Sequence, residues 1–233
     1  MKSMVYTQKV SLKRCKKILV KVSDKEEKYS AESEIMRRLI KTGSPLFPEI
    51  YGIESRGNQI FMVEEFVYGI SLDGILRGKG LPIGWASEFT AAEITEIGVQ
   101  VCRGLRVLHG INPPVIHGDI KPENILLTSR HPICIKIIDC DDGFVYRPNT
   151  CYAVVKGTPG FCAPEQSAGA PCDFTVDIYA LGRTLKFLLY GCSRGSWLKR
   201  KALKKIIKQA TAEPIKERYV TVREMEKELR RMK

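Results

Sequence analysis

Residues 117–127 read His-Gly-Asp-Ile-Lys-Pro-Glu-Asn-Ile-Leu-Leu, and after a short gap an apolar run from Ile135 to Ile138 ends at Asp139. The stretch holds a carboxylate at Asp119, a lysine two residues later and an asparagine three residues beyond that. In a loop, this spacing brings together a base that orients a hydroxyl, a cation that neutralises phosphate and a metal ligand. Chance rarely supplies such spacing, so the stretch favours phosphoryl-transfer chemistry.

The stretch resembles the catalytic loop of the eukaryotic-type (Hanks-type) protein kinases, with Gly118 where most members carry arginine. Its Asp-x-Lys-Pro-x-Asn form is similar to the serine/threonine branch of that family. The resemblance implies that Asp119 orients the acceptor hydroxyl, that Lys121 offsets phosphate charge and that Asn124 holds a metal ion. The co-substrate would be ATP, with Mg²⁺ or Mn²⁺ as the metal.

The resemblance extends to the first part of the chain, where Ile18-Leu19-Val20-Lys21 is similar to the third strand of the family. Lys21 would then point toward the nucleotide phosphates. Glu-x-x-Ile-Met resembles the helix that supplies the partner of this lysine, which makes Glu32 the expected partner. Helix register is uncertain by a residue or two, so Glu34 stays open as an alternative.

Asp139 lies where the family's Asp-Phe-Gly aspartate binds the metal that bridges the β- and γ-phosphates. Here the triplet is Asp139-Cys140-Asp141, so Cys140 and Asp141 replace the usual Phe and Gly. The replacement retains the metal-binding carboxylate, but it puts the family's usual in/out switch in doubt.

Residues 60–67 resemble the strand that enters the family's hinge, and the resemblance implies that the backbone of Glu65 and Val67 reads the adenine edge. Glu64 falls where apolar residues are usual; its carboxylate is expected either to be hydrogen-bonded in the pocket or to turn away. Ser71 is placed to contact the ribose, although Ser71-Leu72-Asp73 reads equally well as a helix N-cap.

Residues 157–165, Gly-Thr-Pro-Gly-Phe-Cys-Ala-Pro-Glu, resemble the end of a kinase activation segment. The resemblance implies that Thr158 hydrogen-bonds near Asp119 and Lys121 and that Glu165 pairs with Arg218. It also implies that Asp177 anchors the catalytic-loop backbone.

The pattern of hydrophobic residues predicts a mostly β first part and a mostly helical second part. The resemblance implies that these parts form an α+β, two-lobed, protein-kinase-like fold. A small, mostly β N-lobe covers residues 1 to about 66, a hinge covers about 65–70, and a larger, mostly helical C-lobe covers about 70–233. Strands are expected at 5–12, 18–22 and 59–66, and helices at 30–40, 174–190, 198–210 and 222–232. Thr90-Ala91-Ala92-Glu93 is typical of a capping box that starts one more helix.

The net charge of +12 is uneven, because residues 199–233 carry thirteen Lys/Arg against five Asp/Glu. Trp197 and Tyr219 are the only aromatic residues in or beside this stretch, too few to stack successive bases between the basic residues, so nucleic acid is not the expected partner. We expect a solvated helix face that favours acidic proteins. No apolar run is long enough to span a bilayer, which predicts a cytoplasmic chain with no membrane partner. The eight cysteines lack metal-ligand spacing and are expected to be reduced thiols.

Three functions remain open. The first is a protein serine/threonine kinase with all five polar positions present. The second is a pseudokinase scaffold, supported by Cys140-Asp141, by Leu19 in place of a small residue and by the lack of a Gly-rich loop before Val5. Either the loop that would cover the phosphates is truncated, or an upstream segment is absent from this sequence. The third is a basic interaction module or nucleic-acid-binding module in which the kinase-like fold is incidental.

Overall fold

The computed structural model describes residues 2–11, 14–24, 27–57, 59–140, 143–148, 157–192 and 196–232. Side chains are described from residue 17 onward within these ranges, except for residues 23–33. Asp141, on which a sequence expectation bears, lies outside the described residues.

The first part of the chain is an antiparallel sheet of four strands, in the order β1-β2-β4-β3, with one helix beside it. The predicted strands are confirmed, with slightly different bounds. The elements are β1 (Lys2–Ser11), β2 (Arg14–Asp24), α1 (Glu27–Ile40), β3 (Ile50–Arg56) and β4 (Gln59–Glu65). Strand β3 was not predicted, because its sequence Ile-Tyr-Gly-Ile-Glu-Ser-Arg lacks clean alternation and none of its residues is fully buried.

The register of β2 on β4 decides which side chains lie on the same face of the sheet. Leu19 pairs with Glu64, and Lys21 pairs with Met62. Directly paired residues project from the same face of a sheet, and so do residues two apart on one strand. These four side chains therefore share one face of the sheet.

The second part of the chain is mostly helical and packs around one long buried helix, α3 (Ala91–Gly110). Thr90 and Glu93 form the predicted capping box. One apolar face of α3 is fully buried, with Ile94, Ile97, Val101, Leu105 and Leu108 on it. The other helices are α2 (Leu72–Leu76), α4 (Pro164–Ser167), α5 (Thr175–Tyr190), α6 (Trp197–Ala210) and α7 (Val222–Arg230). The helices predicted at 174–190, 198–210 and 222–232 are confirmed to within two residues at each end.

Five short strands hold the loops between the two parts of the chain. Strand β5 (Ile70–Ser71) pairs with β7 (Ile125–Arg130), which forms a hairpin with β8 (Ile133–Ile137). Strand β6 (Val115–Ile116) pairs with β9 (Phe144–Val145). Together with the β-sheet first part and helical second part, these strands complete a protein-kinase-like α+β fold.

Among the described residues, no helix has both the length and the apolar composition needed to cross a membrane. The six cysteines whose side chains the structure describes are free thiols, and four of them, Cys102, Cys140, Cys172 and Cys192, are buried. Burial raises the pKa of the Cys172 thiol to about 11, which keeps that sulfur protonated and unreactive at neutral pH.

Candidate active site

The hairpin of β7 and β8 brings the two expected metal ligands to one end of the same structure. Ile125 pairs with Ile137, and the backbone N–H of Ile138 donates to the carbonyl oxygen of Asn124 at 2.9 Å. Asn124 immediately precedes β7, whereas Asp139 follows the last hydrogen-bonded residue after β8. The register therefore makes Asn124 and Asp139 neighbours although fifteen positions separate them.

Asp119 lies at the centre of a dense network of hydrogen bonds. Lys121 Nζ donates to its Oδ2 at 2.5 Å, and Asn124 Nδ2 donates to the same oxygen at 3.1 Å. Thr158 donates to Oδ1 twice, from its hydroxyl at 2.7 Å and from its backbone N–H at 3.2 Å. The structure therefore brings Asp119, Lys121 and Asn124 together.

The network sets the protonation state of Asp119. Burial by itself would raise the pKa of this carboxyl, but hydrogen bonds from Lys121 and Thr158 outweigh burial and hold the pKa below its ordinary value. Asp119 is therefore an anion at neutral pH. An anionic carboxylate with a low pKa accepts a hydrogen bond from a hydroxyl and orients it, although it is a weak base.

A second buried carboxylate, Asp177 in the first turn of α5, holds the backbone of the loop. Its oxygens accept from the backbone N–H groups of His117 at 3.0 Å and Gly118 at 2.9 Å, and His109 Nε2 lies 2.9 Å away. The predicted anchoring role of Asp177 is confirmed. Gly118 has a φ of 76°, a left-handed conformation that favours glycine.

Gln166 on α4 is a contributor that sequence reasoning missed. Its side chain is almost fully buried, and its Nε2 donates to the carbonyl oxygen of Gly118 at 2.8 Å. Together with Asp177 it fixes both polar groups of the Gly118 backbone. Nothing in the sequence signals this role, since it depends on how α4 docks against the loop.

The end of the activation segment is tied to the same centre. Lys121 Nζ donates to the Thr158 hydroxyl at 2.8 Å, which confirms the expected contact. Arg218 forms the predicted pair with Glu165, and the structure shows it to be bidentate, at 2.5 and 2.9 Å. The guanidinium also lies over the ring of Tyr179. A buried bidentate pair of this kind fixes geometry as well as charge.

Lys21 is almost fully buried, and its Nζ lies 3.7 Å from Glu64 Oε1. The carboxylate of Glu64 is thus buried beside Lys21 and is not turned to solvent. Glu32 lies in α1, but its side chain is outside the described residues, so its pairing with Lys21 stays a prediction. Glu34 is half exposed and pairs with Arg38, which favours a solvated role for it.

Glu65, the last residue of β4, donates its backbone N–H to the carbonyl oxygen of Glu49 at 2.7 Å. An adenine contact by Glu65 would therefore have to use its carbonyl oxygen. Its side chain accepts from Lys136 at 2.7 Å, and Val67 follows in the irregular segment before β5. Both hinge contacts stay predictions.

Ser71 is the N-cap of α2, since its hydroxyl oxygen accepts from the backbone N–H of Gly74 at 3.0 Å. The capping interpretation of this residue is confirmed. The hydroxyl can still donate its own hydrogen, so the ribose contact stays a prediction.

Asp139 has a φ of 62°, which places a non-glycine residue in the left-handed region. A conformation of this kind persists only where the surroundings impose it, and it is concentrated at functional sites. Cys140, which replaces the aromatic residue usual in the resembling family, is buried in the main core beside residues of both parts of the chain. The small thiol therefore keeps a core position.

The donor chemistry of this end of the hairpin suits a hard divalent cation. The side-chain nitrogen of Asn124 donates to Asp119, so its side-chain oxygen is the atom that would bind a cation. Asp139 adds a carboxylate. Among the described residues, no cluster of three or more His, Cys, Asp or Glu could hold a metal. Mg²⁺ commonly takes only one or two protein oxygens and completes its octahedron with phosphate and water.

Comparisons with known proteins agree with this geometry. A sequence profile described as the protein kinase domain matches residues 2–232. Serine/threonine-protein kinase C of Synechocystis sp. is 33% identical over 171 residues, which cover 71% of this chain and 30% of that protein. Serine/threonine-protein kinase PknA of Nostoc sp. is 30% identical over 172 residues, covering 71% of this chain and 28% of that protein. The chain thus spans less than a third of these relatives.

Proposed function

Because this chain belongs to the protein kinase domain family, we propose that it transfers the γ-phosphate of ATP to serine or threonine side chains of other proteins, in the cytoplasm. The observation that carries the proposal is the convergence of Asp119, Lys121, Asn124 and Thr158 in one hydrogen-bonded centre. A buried, anionic carboxylate held by this set is arranged to receive an acceptor hydroxyl.

Each polar residue then has a distinct task. Asp119 accepts the hydrogen bond of the acceptor hydroxyl and aligns its oxygen with the phosphorus. Phosphoryl transfer passes through a loose transition state, so positioning matters more than strong basicity, and a carboxylate of low pKa suffices. Lys121 lies beside the transferred group, while Lys21 neutralises charge on the other phosphates.

Asn124 and Asp139 would hold Mg²⁺, or Mn²⁺ in its place. When bound, the metal neutralises charge between the β- and γ-phosphates. Within the chain, the hairpin register and the strained backbone of Asp139 keep the two oxygen donors in a fixed relation. The backbone of Glu65 and Val67 and the hydroxyl of Ser71 would orient the nucleoside.

The scaffold alternative is not favoured. Burying an ionised carboxylate costs free energy unless it is fully hydrogen-bonded, and Asp119 has four donors that meet this need. A chain that only recruits partners needs neither the buried carboxylate nor these donors. The replacements at Cys140 and Leu19 leave that centre intact.

The test is transfer of label from γ-labelled ATP, with Mg²⁺ or Mn²⁺, to serine or threonine of a generic basic protein and of an acidic one. Asp119→Asn should lower turnover by at least about 10²-fold, the scale of positioned general-base effects, with nucleotide affinity nearly unchanged. Glu228→Gln, which alters only an exposed pair with Arg231, is the control. Equal turnover in the parent and Asp119→Asn would contradict the proposal.

A further inference from the structure

Helix α6 carries six cations and no acidic residue, namely Lys199, Arg200, Lys201, Lys204, Lys205 and Lys208. None of the six forms an ion pair with a described residue. Elsewhere the described chain pairs many of its cations, as in Arg77 with Asp73, Arg130 with Glu93 and Lys136 with Glu65. The concentration of unpaired positive charge on α6 therefore favours an acidic partner from outside the chain.

Three of these cations, Arg200, Lys204 and Lys208, follow one another at four-residue spacing and so share one face of α6. They border a cleft of about 390 Å³ between α6 and the last turn of α5. The cleft also receives Lys186, and Leu189 and Tyr190 supply apolar surface. Tyr190 is 81% exposed, so a large aromatic ring stands open beside four cations.

The cleft is connected to the acceptor side of the active site through one face of α5. Arg183 Nε donates to the carbonyl oxygen of Gly160 at 2.7 Å, and the rings of Phe161 and Phe187 lie 5.9 Å apart. Arg183, Phe187 and Tyr190 follow each other at helical spacing. The activation segment and the cleft therefore lie along one surface, and α5 rises only about 10 Å from Arg183 to Tyr190.

We propose that this cleft docks an acidic segment of the protein substrate, with an apolar side chain of that segment packed against Leu189 and Tyr190. The proposal rests on the proposed kinase function, because the substrate is the partner that the active site must receive. The span along α5 can be covered by three to four extended residues, or about 10 Å, so acceptor and docking segment can belong to one chain.

A protein segment fits better than nucleic acid for two reasons. The cations surround a single short cleft with an apolar wall, whereas single-stranded nucleic acid is bound along an extended basic groove with successive stacking aromatics. The surface of α5 beside the cleft also continues to the end of the activation segment at Gly160 and Phe161.

The test is binding of a fluorescent peptide to the full chain by anisotropy. The peptide has one serine, a flexible spacer and a run of glutamates that contains one leucine, and it is made in both orders. A comparison peptide replaces every glutamate with glutamine. We expect tighter binding of the acidic peptide, weakened by added salt.

A triple variant, Arg200→Gln, Lys204→Gln and Lys208→Gln, should weaken binding of the acidic peptide about tenfold, as expected for the loss of three exposed charge pairs. The matched control is Lys199→Gln, Lys201→Gln and Lys205→Gln, which removes the same charge from the same helix but outside the cleft. If the first triple fails to fold, the single variants Lys204→Glu and Tyr190→Ala, both at exposed positions, replace it.

Equal binding of the two peptides, equal losses in the two triples, or equally strong competition by a single-stranded oligonucleotide would each overturn the docking site. Transfer is measured separately. In the cleft triple, KM for the acidic peptide should rise while kcat for the glutamine peptide stays unchanged. Selective binding of the acidic peptide without transfer would support the docking site and contradict the kinase proposal. Transfer without preference for the acidic peptide would support the kinase proposal and contradict the docking site.

Discussion

Lys21 Nζ lies 3.7 Å from the carboxylate of Glu64, and both side chains are more than nine-tenths buried. The register of β2 on β4 places them on the same face of the sheet. A carboxylate at this position offers the lysine a partner inside the cleft, where the nucleotide phosphates would also seek it. In the proposed nucleotide complex, Glu64 would therefore compete with the phosphates for Lys21.

Glu64→Gln should lower KM for ATP by roughly threefold or more, because an opposite charge within 4 Å is removed from the lysine and a negative charge is removed from the cleft. Steady-state kinetics with varied ATP measure this. The control is Glu54→Gln, which breaks only an exposed pair with Arg56. A higher KM in Glu64→Gln, in protein shown by thermal unfolding to be folded, would mean that Glu64 supports the nucleotide instead.

Asp139→Asn should abolish Mg²⁺-dependent ATP binding and transfer, because it removes the carboxylate that would hold the metal ion. Asp141→Gly, which introduces the residue usual in the family at a position outside the described residues, should be tolerated. Side-by-side titration of ATP with and without Mg²⁺ checks both. Survival of Asp139→Asn together with inactivity of Asp141→Gly would reverse the assignment of the two carboxylates.

Glu226 on α7 joins two helices, since its carboxylate accepts from Arg106 of α3 at 2.9 Å and from Arg230 at 2.7 Å. Glu226→Ala should destabilise the fold by about 1–3 kcal/mol. The change removes a buried acceptor, and the positive charges of Arg106 and Arg230 are left near each other without a carboxylate between them. Urea denaturation measures the free energy of unfolding. Glu228→Ala, at a half-exposed position two residues further along α7, should cost less than about 0.5 kcal/mol. Similar losses in the two variants would show that the pairs on Glu226 contribute no more than a surface contact.

The stability contributed by Asp177 should depend on pH. Burial by itself would raise the pKa of this carboxyl, but hydrogen bonds and charge from His109 and His117 lower the pKa overall. The folded state therefore binds the proton more weakly than the unfolded state. The contribution is complete above about pH 4 and is lost as the pH falls through the lowered pKa.

Asp177→Asn should consequently be less stable than the parent at pH 7 and pH 5, with a difference that narrows at pH 3.5. Urea denaturation at the three pH values measures this difference. Asp73→Asn, which removes a pair with the exposed Arg77, should show a smaller difference than Asp177→Asn at pH 7. A stability difference between Asp177→Asn and the parent that does not change with pH would contradict this prediction. It would show that Asp177 holds the loop backbone without using its charge.

Much of the local structure could be predicted, and the reasons are local. The capping box at Thr90 and Glu93 and the apolar face of α3 follow from helical periodicity, which neighbours in sequence determine. Strand β3 could not be predicted, because its half-polar sequence becomes a strand only through pairing with β4. Gln166 and the Lys21–Glu64 pair likewise depend on contacts between residues more than forty positions apart.

The sequence by itself determined which polar groups are present and in what order, since the spacing of Asp119, Lys121 and Asn124 is a property of one short loop. Only the tertiary structure decided what surrounds them. The β7–β8 register brings Asn124 beside Asp139, docking of the activation segment supplies Thr158, and the start of α5 places Asp177 under the loop. The physical reason is that burial and pairing of charge depend on distances in space, and those distances exist only after the separate elements have packed together.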